Sequence, residues 1–280
     1  MEDADRVMDG GDLAEPTPAE AYDRYLGPAM FEPWAEVLLD LAEPASGERV
    51  LDLACGTGIV TRKLAHRLGA SGQILAMDIN PDMLAVARGL ALPPGPAVNW
   101  RQGDACAIDA PDHGFDLLLC QQGYQFFPDR PKAASEMRRV IKEDGRAVVA
   151  VWEGLDRHPV FQALFQAEAH HLGVAVEKLA VPFSLSDTTV LQHEFQQAGF
   201  SRVSVSSHSM EARFRDARKF IDLVVRSGAA VIPELDLTDP GEHQALMDVV
   251  HREAAGVVDR YREGDGVVFP MHSSLVLARP

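Results

Sequence analysis

Residues 50–80 read VLDLACGTGIVTRKLAHRLGASGQILAMDIN, and this stretch decides the fold. A short apolar run ending near Leu53 predicts a strand, the segment from Ile59 to Gly69 has helical periodicity, and the run through Met77 is again a strand. That is a βαβ unit. Between its first two elements lie Gly56 and Gly58, whose missing Cβ atoms let the backbone turn tightly and let a ligand approach, with the unpaired N–H groups of the helix start beside them. Asp78 ends the second strand, 20 residues beyond Gly58, where it can accept hydrogen bonds from a ribose diol. A dinucleotide fingerprint needs a third glycine three positions after the second, and Thr61 stands there; no Gly-Lys-Ser/Thr follows to make a P-loop. The loop therefore suits a nucleoside ligand without a pyrophosphate, of which S-adenosylmethionine is the common one.

Outward from this unit the alternation continues. A helix runs over 81–90, a strand over 97–102, the strand FDLLLCQ follows, then a helix over 130–141 and the strand RAVVAVW. Such regularity predicts an α/β fold: a doubly wound, mostly parallel sheet of seven strands with helices on both faces and ligands at the carboxyl ends of the strands. Residues 1–17 show no apolar periodicity and are expected to form a mobile leader, with 18–280 as one domain and 48–152 as its ligand-binding core. Residues 18–44, interrupted by Pro28 and Pro33, predict two helices that cover the sheet. Residues 216–263 form a helical insertion between the last two strands, too long for a plain connection and expected to serve as a lid or an oligomer contact, so a homodimer is envisaged.

Composition narrows the partners. With 26 basic against 42 acidic residues the net charge is -16, which repels phosphate backbones and anionic lipid surfaces, so neither nucleic acid nor membrane is expected as a partner. No apolar run approaches the roughly 18 residues of a membrane span. Cys55, Cys106 and Cys120 have no metal-ligand spacing, and an odd number does not make a disulfide framework; a cytoplasmic protein without a metal site is the expectation.

The ordered set VLDLACGTG, MDIN with PDML, GDA, FDLLLCQQGYQFFPD and EMRRVIKEDGRAVVAVW resembles the motifs of class I S-adenosylmethionine-dependent methyltransferases, of the small-molecule group related to quinone-biosynthesis enzymes. The resemblance covers residues 20–152, and the segment from PFSLSD to GFSRVSV is similar to the later half of the same group. It implies a Rossmann-like methyltransferase fold and S-adenosylmethionine as cofactor. Asp52, Ala54, Gly56 and Gly58 would line the amino-acid end, Asp78 would hold the ribose, and Ile79 and Met83 would lie against the adenine. Gly103, Asp104 and Ala105 would frame its other edge. Cys120 and Gln121 would offer backbone groups to the ammonium, and Tyr22 would close over the cofactor. Two departures are visible: Ala54 replaces the family's first loop glycine, and EDGR replaces a Pro-Gly-Gly turn.

For a methyl transfer the electrophile is already activated, so the protein chiefly orients the nucleophile and excludes water, with a base needed only if the acceptor must lose a proton. His158, after the fifth strand, is the candidate base. His272 reads as structural, while His170 and His171 suit a helix dipole. The acceptor, a small and partly apolar molecule methylated on oxygen or carbon, is expected between Gln122 to Phe127, the stretch after Trp152 and the insertion, with Gln122 and Tyr124 as contacts. Phe126 and Phe127 are expected to fill the core. Two other functions stay open at this level: a methyltransferase-like protein that keeps the cofactor structurally while cyclising or binding a ligand, and a methyltransferase acting on protein.

Overall fold

A computed structural model describes residues 16–229 and 239–280. The seven principal strands are β1 (Arg49–Leu53), β2 (Gln73–Asp78), β3 (Ala97–Gln102), β4 (Phe115–Gln121), β5 (Ile141–Trp152), β6 (Arg202–Phe214) and β7 (Gly266–Arg279). They lie in the order β3-β2-β1-β4-β5-β7-β6, and Arg262–Glu263 add a two-residue strand against the start of β7. All principal neighbours pair parallel except β7, which runs antiparallel to β5 and β6 on either side. The doubly wound sheet of the sequence analysis is thus observed. Its strand order reverses between β1 and β4, and at such a switch point the outgoing connections part to opposite faces and leave a crevice at the carboxyl ends.

Side-chain alternation builds the two faces. Val148, Ala150 and Trp152 of β5 join one buried cluster with Val50, Leu117 and Leu119, while Ala147, Val149 and Val151 join the other with Leu51, Leu118 and Tyr124. The first cluster is covered by α2 (Glu32–Ala42), α3 (Ile59–Leu68), α6 (Pro159–Leu172), α9 (Ala217–Ala229) and α10 (Pro240–Val258); the second by α5 (Arg130–Val140) and α8 (Thr188–Gln197). Short polar residues start most of these helices. Asp129 accepts from the Lys132 N–H and Asp187 from the Thr189 N–H, and earlier in the chain α4 (Pro81–Gly89) is capped by Asn80. Helix α3 differs: its N-cap is Gly58 in the left-handed region, and no side chain caps it. Its first N–H groups therefore face the loop, where a Cβ on Gly58 would collide with the Trp100 ring.

The N-terminal cover departs from the expected pair of helices. Helix α1 (Pro18–Ala21), a π-wound stretch Tyr22–Phe31 and α2 run on without a break, and Pro28 lies inside the π-wound part. The wider turn explains this: the Glu32 N–H reaches back five residues to the Gly27 carbonyl, so the missing N–H of Pro28 interrupts a looser ladder than an α-helix would need. The insertion is helical as expected, and α9 and α10 pack on α6, with α7 (Val176–Leu179) following it. Residues 1–15 of the expected leader and 230–238 of the insertion lie outside the described residues. Among the described residues no helix is long and apolar enough to cross a membrane.

Candidate active site

The crevice at the switch point is closed by the cover. Tyr22 and Phe31 of the π-wound stretch, Asp52 at the end of β1, Ala54, Gly56 and Thr57 of the loop and Gln121 at the end of β4 surround a space of about 30 Å³. The Tyr22 and Phe31 rings lie 4.6 Å apart, tilted by 31°. The loop conformation is set by three consecutive devices. Ala54 has φ 56° and Gly56 φ 54°, and the Gly56 N–H donates to Asp78 Oδ2 at 2.7 Å. A left-handed Ala costs about 1 kcal/mol against Gly, so its methyl group is held there by neighbours: a Cβ on Gly123 would come within 2.5 Å of it. Gly56, by contrast, has no atom within 4 Å of the place its Cβ would take.

Two polar groups of this crevice lack partners among the described residues. Among the described residues, the buried Thr57 Oγ1 and Gln121 Oε1 have no hydrogen-bond partner, although the Gln121 Nε2 donates to the Phe31 carbonyl at 2.9 Å. An unmet buried polar atom costs about 1–3 kcal/mol, so two of them on one small cavity mark a place where a polar ligand supplies the bonds. Asp52 is buried and accepts from the Thr61 hydroxyl. Burial, aided by the Asp78 charge, pushes its carboxyl up to about 7. Burial also raises the Tyr22 phenol, with Asp78 and Asp23 adding to it.

Asp78 Oδ1 accepts from the Asn80 N–H at 2.8 Å, so each carboxylate oxygen holds one turn N–H and retains a second acceptor position. Beyond it Ile79 is 67% exposed, an apolar side chain standing in the open beside half-buried Met83. On the other side the Gly103 N–H donates to the Asp78 carbonyl, Asp104 is exposed with Oδ1 accepting from the Cys106 N–H, and Ala105 is buried. Cys120 is buried, and burial pushes its thiol up to about 12. Of the predicted cofactor residues, Tyr22, Asp52, Ala54, Gly56 and Gln121 line this crevice, and Asp78 is tied to its loop through the Gly56 N–H; Gly58, Ile79, Met83, Gly103, Asp104, Ala105 and Cys120 do not line it. Thr57 and Phe31 were not foreseen; Thr57 lies inside the CGTG loop, where its position between the glycines was signal enough, whereas nothing local marks Phe31.

Three expectations fail on geometry. His158 is 1% exposed, its Nδ1–H donates to the Gly154 carbonyl at 3.0 Å, and its Nε2 accepts from the His272 N–H at 2.9 Å. A ring with both nitrogens spent on backbone has no lone pair for an acceptor proton, and burial pushes it down to about 4. It bolts the start of α6 to β7 and is not a base. Gln122 has φ 53°, which turns the chain at the end of β4, and its Nε2 donates to Ser273 Oγ at 3.0 Å away from the crevice. Tyr124 is fully buried on the opposite face of the sheet, its hydroxyl donating to Glu194 at 2.8 Å, so neither it nor Gln122 contacts an acceptor. The aromatic pair also splits: Phe127 packs on the core, while Phe126 is 54% exposed.

His158→Ala is accordingly expected to lower stability by about 2–4 kcal/mol, through unmet backbone groups and a cavity, with the cofactor affinity of the folded fraction unchanged. The wild-type histidine adds a pH signature. Unfolded it binds a proton below its ordinary 6.5, folded only near 4, so its contribution is complete above 6.5 and is lost as pH falls to about 4, by roughly 3 kcal/mol. Urea titrations at pH 7 and pH 4.5 on both proteins check this: a wild-type loss no larger than that of the variant would remove the assignment.

A glycine loop at the switch point, an acid at the end of β2 and a closing aromatic cover define a nucleoside-cofactor enzyme of the methyltransferase fold. The methyltransferase domain family matches residues 50–145. The 2-phytyl-1,4-naphtoquinone methyltransferase of Thermosynechococcus vestitus is 32% identical over 202 residues, covering 66% of this chain and 88% of that protein. The ubiquinone/menaquinone biosynthesis C-methyltransferase UbiE of Stutzerimonas stutzeri is 31% identical over 185 residues, covering 61% of this chain and 72% of its own length. The cyclase SpnF shares the fold at TM-score 0.51 and 17% identity over 89% of this chain and 81% of that one. The chain belongs to the S-adenosylmethionine-dependent methyltransferase family, in the small-molecule group that includes quinone-biosynthesis enzymes.

Proposed function

We propose that this chain binds S-adenosylmethionine in the crevice under the cover and transfers its methyl group to a small, partly apolar acceptor at oxygen or carbon. The observation that carries the cofactor is the pair of unmet atoms, Thr57 Oγ1 and Gln121 Oε1, on a crevice that also presents Asp52 and the uncapped start of α3, with Asp78 bonded to the Gly56 N–H of its loop. When bound, the cofactor supplies a methyl group activated on a sulfonium sulfur. Asp78 holds the ribose diol. Ile79 and Met83 cover one face of the adenine, with the loop at Gly103 to Ala105 along its edge. Gln121 Oε1 accepts from the ammonium, and the buried Asp52 carboxylate balances its charge. Tyr22 and Phe31 exclude water, and the about 30 Å³ they leave requires that they move aside for entry.

No described histidine stands free at the crevice to take a proton. The reading therefore favours an electron-rich carbon or an oxygen that is already acidic. The two relatives above, a 2-phytyl-1,4-naphtoquinone methyltransferase and a C-methyltransferase of ubiquinone/menaquinone biosynthesis, support that chemistry. Calorimetric titration with S-adenosylmethionine and S-adenosylhomocysteine, followed by transfer of labelled methyl to candidate acceptors, tests it; absence of binding to the folded protein would end the reading.

Asp52 gives the titration a pH dependence. Below about 7 its carboxyl carries a proton in the ligand-free protein, and an ammonium beside it expels that proton. Affinity is then expected to rise with pH toward about 7 and level off, by up to about tenfold per unit on the acid side. Methylthioadenosine, which lacks the amino-acid end, should show a flat profile, and so should both amino-acid ligands on Asp52→Asn.

A further inference from the structure

A second cleft, roomier than the cofactor crevice, lies among the described residues. It measures about 290 Å³ and opens between the first turn of α9 and the first turns of α10, with Asp216, Arg218, Lys219, Asp222 and His243 in its wall. Its wall carries two carboxylates and two cations, and the carboxylates are engaged by other groups. Asp216 Oδ1 accepts the Lys219 backbone N–H at 2.9 Å and caps α9. Asp222 accepts from His243 Nε2 at 2.6 Å and from Arg226 Nε at 3.1 Å. Arg218 and Lys219 have no carboxylate in ion-pair range among the described residues, in a chain of net charge -16.

Two cations with no carboxylate partner among the described residues, in the first turn of a helix, also oppose its dipole. Stability alone does not explain them there. The buried His243 Nδ1 has no partner among the described residues, so the wall offers a further polar group. The Lys219 Nζ lies 3.6 Å from the centre of the Tyr25 ring, which Arg24 flanks at 5.5 Å, and Tyr25 is three residues from Tyr22 on the same π-wound cover. The cleft therefore adjoins the segment that closes the cofactor crevice.

We propose that this cleft binds the acidic group, a carboxylate or a phosphate, of an organic anion, and that this anion is the methyl acceptor. The second clause rests on the methyl-transfer reading above; the first does not. Arg218 and Lys219 hold the anionic oxygens, His243 Nδ1 takes a neighbouring hydroxyl, and the ring system extends toward the cover.

The test uses three probes with one ring system: 1-naphthol, 1-hydroxy-2-naphthoate and 1-naphthyl phosphate, titrated into the full chain by calorimetry with and without S-adenosylhomocysteine. Charge-assisted bonds to two cations should make at least one anion bind about tenfold or more tighter than the neutral naphthol, and which anion is tighter identifies the acidic group. Arg218→Met, Lys219→Met and the double variant should abolish that preference while the thermal midpoint stays put. Equal binding of all three probes, or a preference that survives in the double variant, overturns the site. An anion preference with no labelled methyl passing to either anion overturns the acceptor clause, and failure of S-adenosylhomocysteine to bind counts against the methyl-transfer reading alone.

Discussion

Glu168→Met is expected to stabilise the protein by about 2–3 kcal/mol at pH 8, raising the melting temperature by roughly 4–8 °C. Glu168 is 0% exposed on α6, and neither of its carboxyl oxygens has a partner among the described residues. It shares a helix face with Phe161 and Phe165, which pack on Phe183, Phe220 and Phe269. Burial alone pushes its carboxyl up to about 8. The folded protein therefore keeps this proton to about pH 8, whereas the unfolded chain releases it near 4.5. Stability from this group is complete below 4.5 and declines as pH rises to about 8, at up to 1.4 kcal/mol per unit. A methionine of similar volume removes both the unmet oxygens and the pH slope.

The control is the wild-type minus variant difference in urea stability between pH 5 and pH 8.5, because Asp52 has a slope of the same sign up to about 7 and His158 one of the opposite sign below 6.5. A difference that does not grow with pH, or a destabilised variant, would reveal a partner for the carboxyl and remove the prediction. A variant that is more stable yet slower in methyl transfer would show that the cost is kept for activity.

The second large effect concerns Asp78. Asp78→Ala is expected to weaken S-adenosylhomocysteine binding by about 10²–10⁴-fold, since two ribose hydrogen bonds to a charged acceptor are lost at about 1.5–3 kcal/mol each. The same substitution frees the Gly56 and Asn80 N–H groups that the carboxylate now ties. Asp78→Asn separates the two roles: it keeps one carbonyl acceptor for the loop but cannot serve a diol as a charged bidentate acceptor. Its affinity should fall between those of the wild type and the alanine variant. Full affinity in Asp78→Ala would displace the cofactor from this crevice.

What the sequence alone made legible follows from the range of each cause. Strand and helix positions in 48–152 came from period and from local punctuation such as Asn80-Pro81 and Asp129, which act within a few residues. The glycine loop with Asp78 was readable because both lie on one βαβ unit. The failures involve distant partners. His158 looks like a free histidine until His272 arrives from β7, 114 residues later, and Gln122 until Ser273 does. Pro28 reads as a helix break because a π-wound turn has no sequence signature of its own. The cations of the α9 cleft pass for a solvated surface until the carboxylates around them are seen to be occupied.

The reversed strand β7 has a consequence for how the chain assembles. It is made last of the seven strands yet lies inside the sheet, bonded to β5 from Ala147 to Trp152 and to β6 along its whole length. Strand β6 reaches the rest of the sheet only through it. While the ribosome is still extending the insertion, β5 has an open edge and β6 has nowhere to pair, so the His158 and Ser273 bonds across this seam cannot form. Contacts this distant in sequence close slowly, and an exposed edge invites pairing with other chains. The seam between β5 and β7 is thus the last part of the sheet to close and the place where a nascent chain is most exposed to aggregation.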